Sequence, residues 1–374
     1  MAAEPFEAHV TEADIADLRE RLRRTRWPEA ETVADWSQGL PLAYAQELCR
    51  TWAEDYDFGF ADRLNAFPQF RDTVDGLGIH FAHARSPEPD AFPLVITHGW
   101  PGSVLEFLDV LGPLTDPRAH GGDPADAFHV VAPSLPGYGW SDKPAKAGWG
   151  VERTARAWDS LMVSLGYERY GAQGGDWGSA VTGALGEAAP ERVAGVHVNM
   201  AAAPLGQFDD PTPEEQAALA AAQEFGRTGR GYSGQQSTRP QTLGYGLTDS
   251  PAGQAAWIAE KFWAWTDNNG HPEDALTRRQ ILDAISVYWF TASATSSARL
   301  YWESFGTGFR GKITAPSGIS LYPKEITRPS RREAELRFTD LRWFEELPHG
   351  GHFAAMEEPE SLVEQVRGFF RLVR

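Results

Sequence analysis

Gly174-Gly175-Asp176-Trp177-Gly178 decides how this chain is read. The stretch has the form G-x-Nuc-x-G, a sharp turn between a strand and a helix that pushes one side chain into a pocket. Tyr170-Gly171-Ala172-Gln173 before it has the look of a strand end, and Ser179 to Leu185 after it that of a helix start. The glycines permit a strained turn and close strand–helix packing. The plainer alternative is a glycine-rich turn whose aspartate caps the next helix.

An aspartate at the nucleophile position selects a different electrophile from a serine. Serine suits attack on a carbonyl, because water can hydrolyse the acyl-enzyme. Attack on a saturated carbon would leave serine as an ether, which water does not easily cleave. A carboxylate gives an alkyl ester instead, and water can attack the enzyme's own carbonyl to regenerate it. An aspartate elbow therefore predicts an electrophilic sp3 carbon, in an epoxide or an alkyl halide.

Outward from the elbow, strand and helix signals alternate. Leu94–Thr97, Val130–Ala132 and Val193–Val198 read as short buried strands, and Glu152–Leu165 as a helix. This alternation predicts a mostly parallel sheet covered on both faces. Upstream, Val74, a turn at Asp75-Gly76-Leu77-Gly78 and Ile79–Ala84 predict a hairpin. Thr11-Glu12-Ala13-Asp14 caps a helix with Ile15, Leu18 and Leu22 on its apolar face, and a second helix is expected over Pro41–Tyr56. Residues 1–71 thus read as a helical extension.

Downstream of Met200 the alternation breaks. Thr212-Pro213-Glu214-Glu215 opens a helix, Ser250-Pro251 opens another through Trp265, and Ile281–Trp302 reads as a third. Strand signals resume at Ile319–Tyr322 and around Leu341–Leu347, and a helix over Ser361–Leu372 closes the chain. The expected division is 1–71 extension, 72–200 first part of the α/β core, 201–308 helical cap and 309–374 second part of the core.

A nucleophilic aspartate needs a base for water, an acid to orient the base and donors for the oxyanion, in the chain order nucleophile, acid, histidine. His352, in the glycine-rich run Pro348-His349-Gly350-Gly351-His352-Phe353, fits the base, with His349 as its rival. Read as H-x-x-H, the pair lacks other nearby ligand types and is a poor metal signal. Glu325, just past the strand Ile319–Tyr322, fits the acid; it also reads as a surface carboxylate beside Lys324 and Arg328. His98-Gly99-Trp100-Pro101-Gly102-Ser103 reads as an oxyanion loop, with the backbone N–H groups of Trp100 and Trp177 as donors, or else as an ordinary strand-to-helix turn. An epoxide oxygen leaves as an alkoxide, for which tyrosine is the natural proton donor. Tyr232, Tyr245, Tyr288 and Tyr301 all lie in the inserted region, and the residues alone do not choose among them.

Composition narrows the rest. The 374 residues carry a net charge of −18, which disfavours nucleic acid and anionic membrane surfaces. One cysteine, Cys49, excludes an intrachain disulfide and a multi-cysteine metal site. No segment reaches the roughly 18 consecutive apolar residues of a membrane span, and the N-terminus has no leader pattern. A soluble cytoplasmic protein is expected, free of metal and organic cofactor.

Taken together, the loop at His98–Ser103, Pro136-Gly137-Tyr138-Gly139-Trp140-Ser141, the elbow with Ser179, and Gly350-Gly351-His352-Phe353-Ala354-Ala355 resemble the microsomal-type epoxide hydrolases of the α/β-hydrolase fold. The likeness runs over nearly the whole chain and includes Leu22-Arg23-Arg24-Thr25-Arg26-Trp27-Pro28 in the extension. It implies Asp176 as nucleophile, His352 as base, and Glu325 as acid at a family-like spacing of 27 residues. It further implies Tyr301, in Arg299-Leu300-Tyr301-Trp302-Glu303, as one ring-opening tyrosine, with Tyr232 as the other and Tyr245 as its substitute. Mammalian relatives carry a membrane anchor at the N-terminus, and none is expected here. High Ala, Arg and Gly content suggests a GC-rich bacterial source. A haloalkane dehalogenase would share the aspartate elbow, but the extension and the cap tyrosines speak against it. A non-catalytic ligand-binding homologue would usually have lost a triad member. The expected partner is one small epoxide, apolar or aromatic given Trp257, Trp263, Trp265, Trp289 and Trp302, with a homodimer as the association left open.

Overall fold

The computed structural model describes residues 3–305 and 311–374. The expected cap–core boundary at 308/309 lies outside the described residues. Among the described residues one sheet of nine strands organises the fold: β1 Glu4–Phe6, β2 Gln69–Val74, β3 Leu77–Ala84, β4 Phe92–Thr97, β5 Phe128–Pro133, β6 Tyr170–Gly174, β7 Val193–Val198, β8 Ser317–Leu321 and β9 Leu341–Glu346. Their spatial order is β1-β2-β3-β5-β4-β6-β7-β8-β9, which leaves β1 and β9 outermost. Strands from β5 to β9 run parallel, while β1, β2 and β3 pair antiparallel with each other and β3 pairs antiparallel with β5.

β6, β7 and β8 are buried along their whole length. None of the three therefore alternates between a buried and an exposed face, because helices cover both faces of a parallel sheet. The elbow strand β6 sits between β4 and β7 near the centre. The loops after β4, β6, β8 and β9 therefore gather at the carboxyl edge of one sheet, the usual place for sites in such folds.

Several expectations need correcting. Residues 1–71 are not all helix and loop, because β1 and the start of β2 already belong to the sheet. β1 has only three residues, one of them Pro5, so no strand pattern could show. The hairpin turn is the pair Asp75-Gly76 alone, at φ of 49° and 76°, the positive φ values that a tight two-residue hairpin demands. The expected helix Ile281–Trp302 is two helices, Arg278–Phe290 and Ala294–Ser304. They part at Thr291-Ala292-Ser293, where Ala292 has φ 48° and the Thr291 hydroxyl turns back onto the Val287 carbonyl at 2.6 Å.

Between β7 and β8 the chain builds a helical layer over the carboxyl edge. It runs through Pro213–Glu224, Gly231–Thr238, Pro240–Asp249, Pro251–Trp265 and the two helices just named. The N-terminal helices Glu12–Arg23, Leu42–Glu54 and Phe60–Asn65 are tied to this layer. Trp52 Nε1 donates to Ser286 Oγ at 2.9 Å, the Tyr56 hydroxyl donates to Asp283 at 2.6 Å, and Arg63 pairs with the same carboxylate at 2.5 Å. Trp36 stacks on Trp263, ring centres 5.1 Å apart.

Candidate active site

Asp176 stands at the tip of the turn from β6 into the helix Trp177–Ala188, with φ 50° and ψ −126°. A non-glycine residue held there is strained, at a cost of about 1–3 kcal/mol that the surroundings must offset. The surroundings are tight. A side-chain carbon at Gly178 would lie 1.9 Å from the Thr97 carbonyl oxygen, and one at Gly99 would lie 2.2 Å from the Asp176 Cβ. Both glycines are thus required by close approach of the elbow to the loop after β4.

That loop supplies a donor. The Trp100 N–H lies 2.8 Å from Asp176 Oδ1. The loop is itself held by His98, whose ring accepts the Leu135 N–H at 3.2 Å through Nε2 and contacts the Gly99 carbonyl at 2.9 Å through Nδ1. Burial pushes His98 down to about 4, so it stays neutral and acts as a brace between two loops. The Tyr288 hydroxyl donates to the Gly102 carbonyl at 2.9 Å and anchors the same loop to the layer above. The Trp100–Pro101 bond is cis.

His352 reaches in from the loop after β9. Its Nε2 lies 3.3 Å from Asp176 Oδ2 and its Nδ1 2.7 Å from Glu325 Oε1. Glu325, just beyond β8, is buried, and its Oε2 has no hydrogen-bond partner among the described residues. Burial works against a charged imidazole at His352, but Glu325 and Asp176 outweigh it and hold the proton well above the usual histidine range. The backbone N–H of His352 donates to the Trp265 carbonyl at 2.9 Å, and Glu357 accepts the backbone N–H groups of Asp267 (2.7 Å) and Phe353 (2.9 Å). Burial raises Glu357 to about 7. His349 is exposed and takes no part.

The structure sorts the tyrosines that the sequence left open. Tyr245 is 72% exposed, and the Tyr288 hydroxyl is already engaged by Gly102. Tyr232 and Tyr301 face each other with ring centres 5.8 Å apart. Trp100 stacks on Tyr232 at 5.1 Å, and Trp177 meets Tyr301 edge-on at 4.8 Å. The Tyr301 hydroxyl is buried without a well-formed hydrogen bond. Burial and the nearby Asp176 charge raise both phenols, so both keep their protons.

Asp176, His352, Glu325, Trp100, Trp177, Tyr232 and Tyr301 are therefore brought together. The arrangement offers a carboxylate with one oxygen held by an N–H, a histidine backed by a second carboxylate, and two phenols packed on Trp100 and Trp177 beside that carboxylate. Such a set can attack a carbon, donate to a leaving oxygen and hydrolyse the resulting ester. Among the described residues, no group of three or more His, Cys, Asp and Glu is placed to hold a metal ion. A cavity of about 1200 Å³ leads to Tyr232 and Trp265, walled by Trp36, Phe225, Trp257 and Trp263. Trp289 and Trp302 lie away from it: Trp289 packs against Trp52, and Trp302 is 55% exposed. Sequence reasoning missed Glu357 and Glu106. The signal for Glu106 is a lone acid inside the apolar run Val104-Leu105-Glu106-Phe107-Leu108.

Known proteins resemble this chain in sequence and in fold. Residues 3–107 match the model of the epoxide hydrolase N terminus, and residues 93–248 match that of the alpha/beta hydrolase fold. A Stigmatella aurantiaca protein provisionally named an epoxide hydrolase is 52% identical over 99% of this chain and 85% of its own length. Epoxide hydrolase 1 of Oryctolagus cuniculus is 34% identical over 99% of this chain and 89% of its own. The crystal structure of the juvenile hormone epoxide hydrolase from Bombyx mori superposes with a TM-score of 0.91 at 30% identity, covering 100% of this chain and 95% of that one.

Proposed function

The chain belongs to the epoxide hydrolase family on the α/β-hydrolase fold, and from that premise we propose the part each residue plays in opening an epoxide to a vicinal diol. The epoxide enters by the Trp-walled cavity and lies between Asp176 and the tyrosine pair. Tyr232 and Tyr301 donate hydrogen bonds to its oxygen. Asp176 Oδ1 is held by the Trp100 N–H, which leaves Oδ2 to attack a ring carbon from the far side. The ring C–O bond breaks, the alkoxide takes a proton from the tyrosine side, and a hydroxyalkyl ester forms.

Ester formation then converts His352 into a base. Asp176 loses its charge on alkylation, so one of the two carboxylates that keep the imidazole protonated is gone, and the proton it releases replaces the one the tyrosine gave to the alkoxide. Glu325 remains to orient the ring. Water attacks the Asp176 carbonyl carbon as His352 Nε2 takes its proton. Charge on Oδ1 is met by the N–H groups of Trp100 and Trp177. The diol leaves with the former Oδ2 and the second proton of the water, while the first stays on His352, so that Asp176 is again a carboxylate beside a protonated imidazole. Two tyrosine hydroxyls opposite the nucleophile favour this reading over halide release, because a halide leaves without needing a proton.

The aromatic wall of the entrance supports an apolar or aryl-bearing epoxide as substrate. The net charge of −18 and the absence, among the described residues, of a helix able to cross a membrane support work in the cytoplasm, and the Stigmatella relative supports a bacterial source. The tie between the N-terminal helices and Ser286 and Asp283 supports treating 1–71 and the cap as adjoining units over the core.

The observation that carries the assignment is the continuous set Trp100 N–H, Asp176, His352, Glu325. A single turnover in oxygen-18 water with enzyme in excess tests it. Mostly unlabelled diol, with label entering Asp176, is the expected result. Labelled diol in the first turnover, with Asp176 unlabelled, would show direct attack by water and end the covalent assignment.

A further inference from the structure

Beside the helix that carries Tyr301 lies a cavity that the proposed reaction does not use. It encloses about 560 Å³ between the helix Ala294–Ser304, the start of the helix Pro240–Asp249 and the chain that follows β5. That volume falls within the roughly 300–1,000 Å³ of small-molecule sites. It shares no lining residue with the Trp-walled cavity at Tyr232. Leu300 and Trp302 line it, while Tyr301 between them turns instead onto Trp100 and Trp177.

The cavity joins apolar walls to positive charge. Pro136, Trp149 and Leu300 are buried at its wall, and the largely exposed Trp302 ring stands beside them. Lys146, Arg239 and Arg299 also line it. Among the described residues none of these three cations pairs with a carboxylate. Arg299, which is half-buried, donates to Gln241 Oε1 at 3.0 Å, and Arg239 to the neighbouring Thr238 carbonyl at 2.7 Å. Arginines elsewhere, such as Arg192, Arg278 and Arg332, take carboxylates. Partners of that kind are plentiful in a chain with 52 acidic against 34 basic residues. The one acid in the lining, Glu303, turns an oxygen to the Gly148 N–H at 2.9 Å. Burial and the Arg299 charge together hold the nearby Lys143 below the usual lysine range.

We propose that this cavity is a second binding site, for a small organic anion: a carboxylate on an apolar or aromatic body. The carboxylate would lie among Lys146, Arg239 and Arg299, where a guanidinium can give it two parallel N–H bonds. The body would lie against Leu300 and Trp302. Three like charges around one opening repel each other, and an anion seated among them relieves that repulsion. The site does not depend on what Asp176 does.

Calorimetric titration of the full chain with naphthoate tests this, with uncharged naphthamide as the matched control. One naphthoate per chain is expected, and naphthamide should bind at least about tenfold more weakly, as the loss of a charge-assisted hydrogen bond requires. Arg299→Gln removes the half-buried charge and should weaken naphthoate about tenfold. Gln241→Glu gives Arg299 an internal carboxylate in place of the amide it already holds. It should weaken naphthoate by about as much without lowering the melting temperature. Equal binding of naphthoate and naphthamide, or unaltered naphthoate binding in either folded variant, overturns the site. So does the absence of binding up to about 1 mM naphthoate.

Discussion

His352 Nδ1 lies 2.7 Å from Glu325 Oε1, and neither side chain reaches solvent. In such surroundings the carboxylate charge acts on the imidazole almost unscreened. Glu325→Gln keeps the size and an accepting oxygen but removes that charge. The His352 proton then loses its main support, and the imidazolium formed during hydrolysis is no longer stabilised. Turnover is expected to fall about 10²-fold or more, with the ester accumulating. Mass spectrometry of the peptide holding Asp176 checks this; an unchanged turnover would detach Glu325 from the mechanism.

In the proposed mechanism Tyr301 and Tyr232 each supply one charge-assisted hydrogen bond to the departing oxygen, worth about 1.5–3 kcal/mol. Tyr301→Phe and Tyr232→Phe should each slow alkylation accordingly, and the double variant should nearly abolish it. Wild-type alkylation in Tyr232→Phe would break the pairing.

Tyr288 provides the contrast. Its hydroxyl serves the Gly102 carbonyl. Tyr288→Phe is expected to cost about 1 kcal/mol of stability, leaving a buried carbonyl short of its donor, and to change the alkylation rate far less than Tyr301→Phe. Thermal melts beside the kinetics decide it, and an alkylation loss matching that of Tyr301→Phe would count against the assignment.

Glu106 gives a pH signature in stability. Its carboxyl keeps a proton up to about 8 in the folded chain but releases it near 4.5 when unfolded. Between those values the folded state binds the extra proton, so this group makes stability fall as pH rises. Glu106→Gln lacks that slope. Its melting temperature relative to the parent should climb from pH 4.5 to about 8 and then level off. Glu357 has the same sign but is present in both proteins, so it cancels. A difference independent of pH would contradict the placement of Glu106.

The chemistry of the site was more legible in sequence than its walls. Asp176, His352 and the loop at Trp100 announce themselves because glycines must flank each one, and glycine runs survive as local patterns. Glu325 has no such frame, and only the chain order and the family resemblance singled it out. The choice between Tyr232 and Tyr245 depends on how Gly231–Thr238 and Pro240–Asp249 pack, and the sequence showed neither helix. Glu106 and Glu357 look like ordinary acids until loops far apart in the chain enclose them. The break at Ala292 was hidden for a related reason: apolar residues continue on both sides of it, so periodicity alone joins the two helices.

The two outermost strands bear on self-association. β1 is three residues long and contains a proline, and β9 carries the exposed Arg342, Glu345 and Glu346. A short edge with a proline and an edge lined by charge are both poor templates for another chain's backbone. The sheet therefore resists growing from copy to copy at either end, despite the long buried strands at its centre. Two copies that pair must do so through helices or loops, which leaves the carboxyl edge of the sheet to the chemistry.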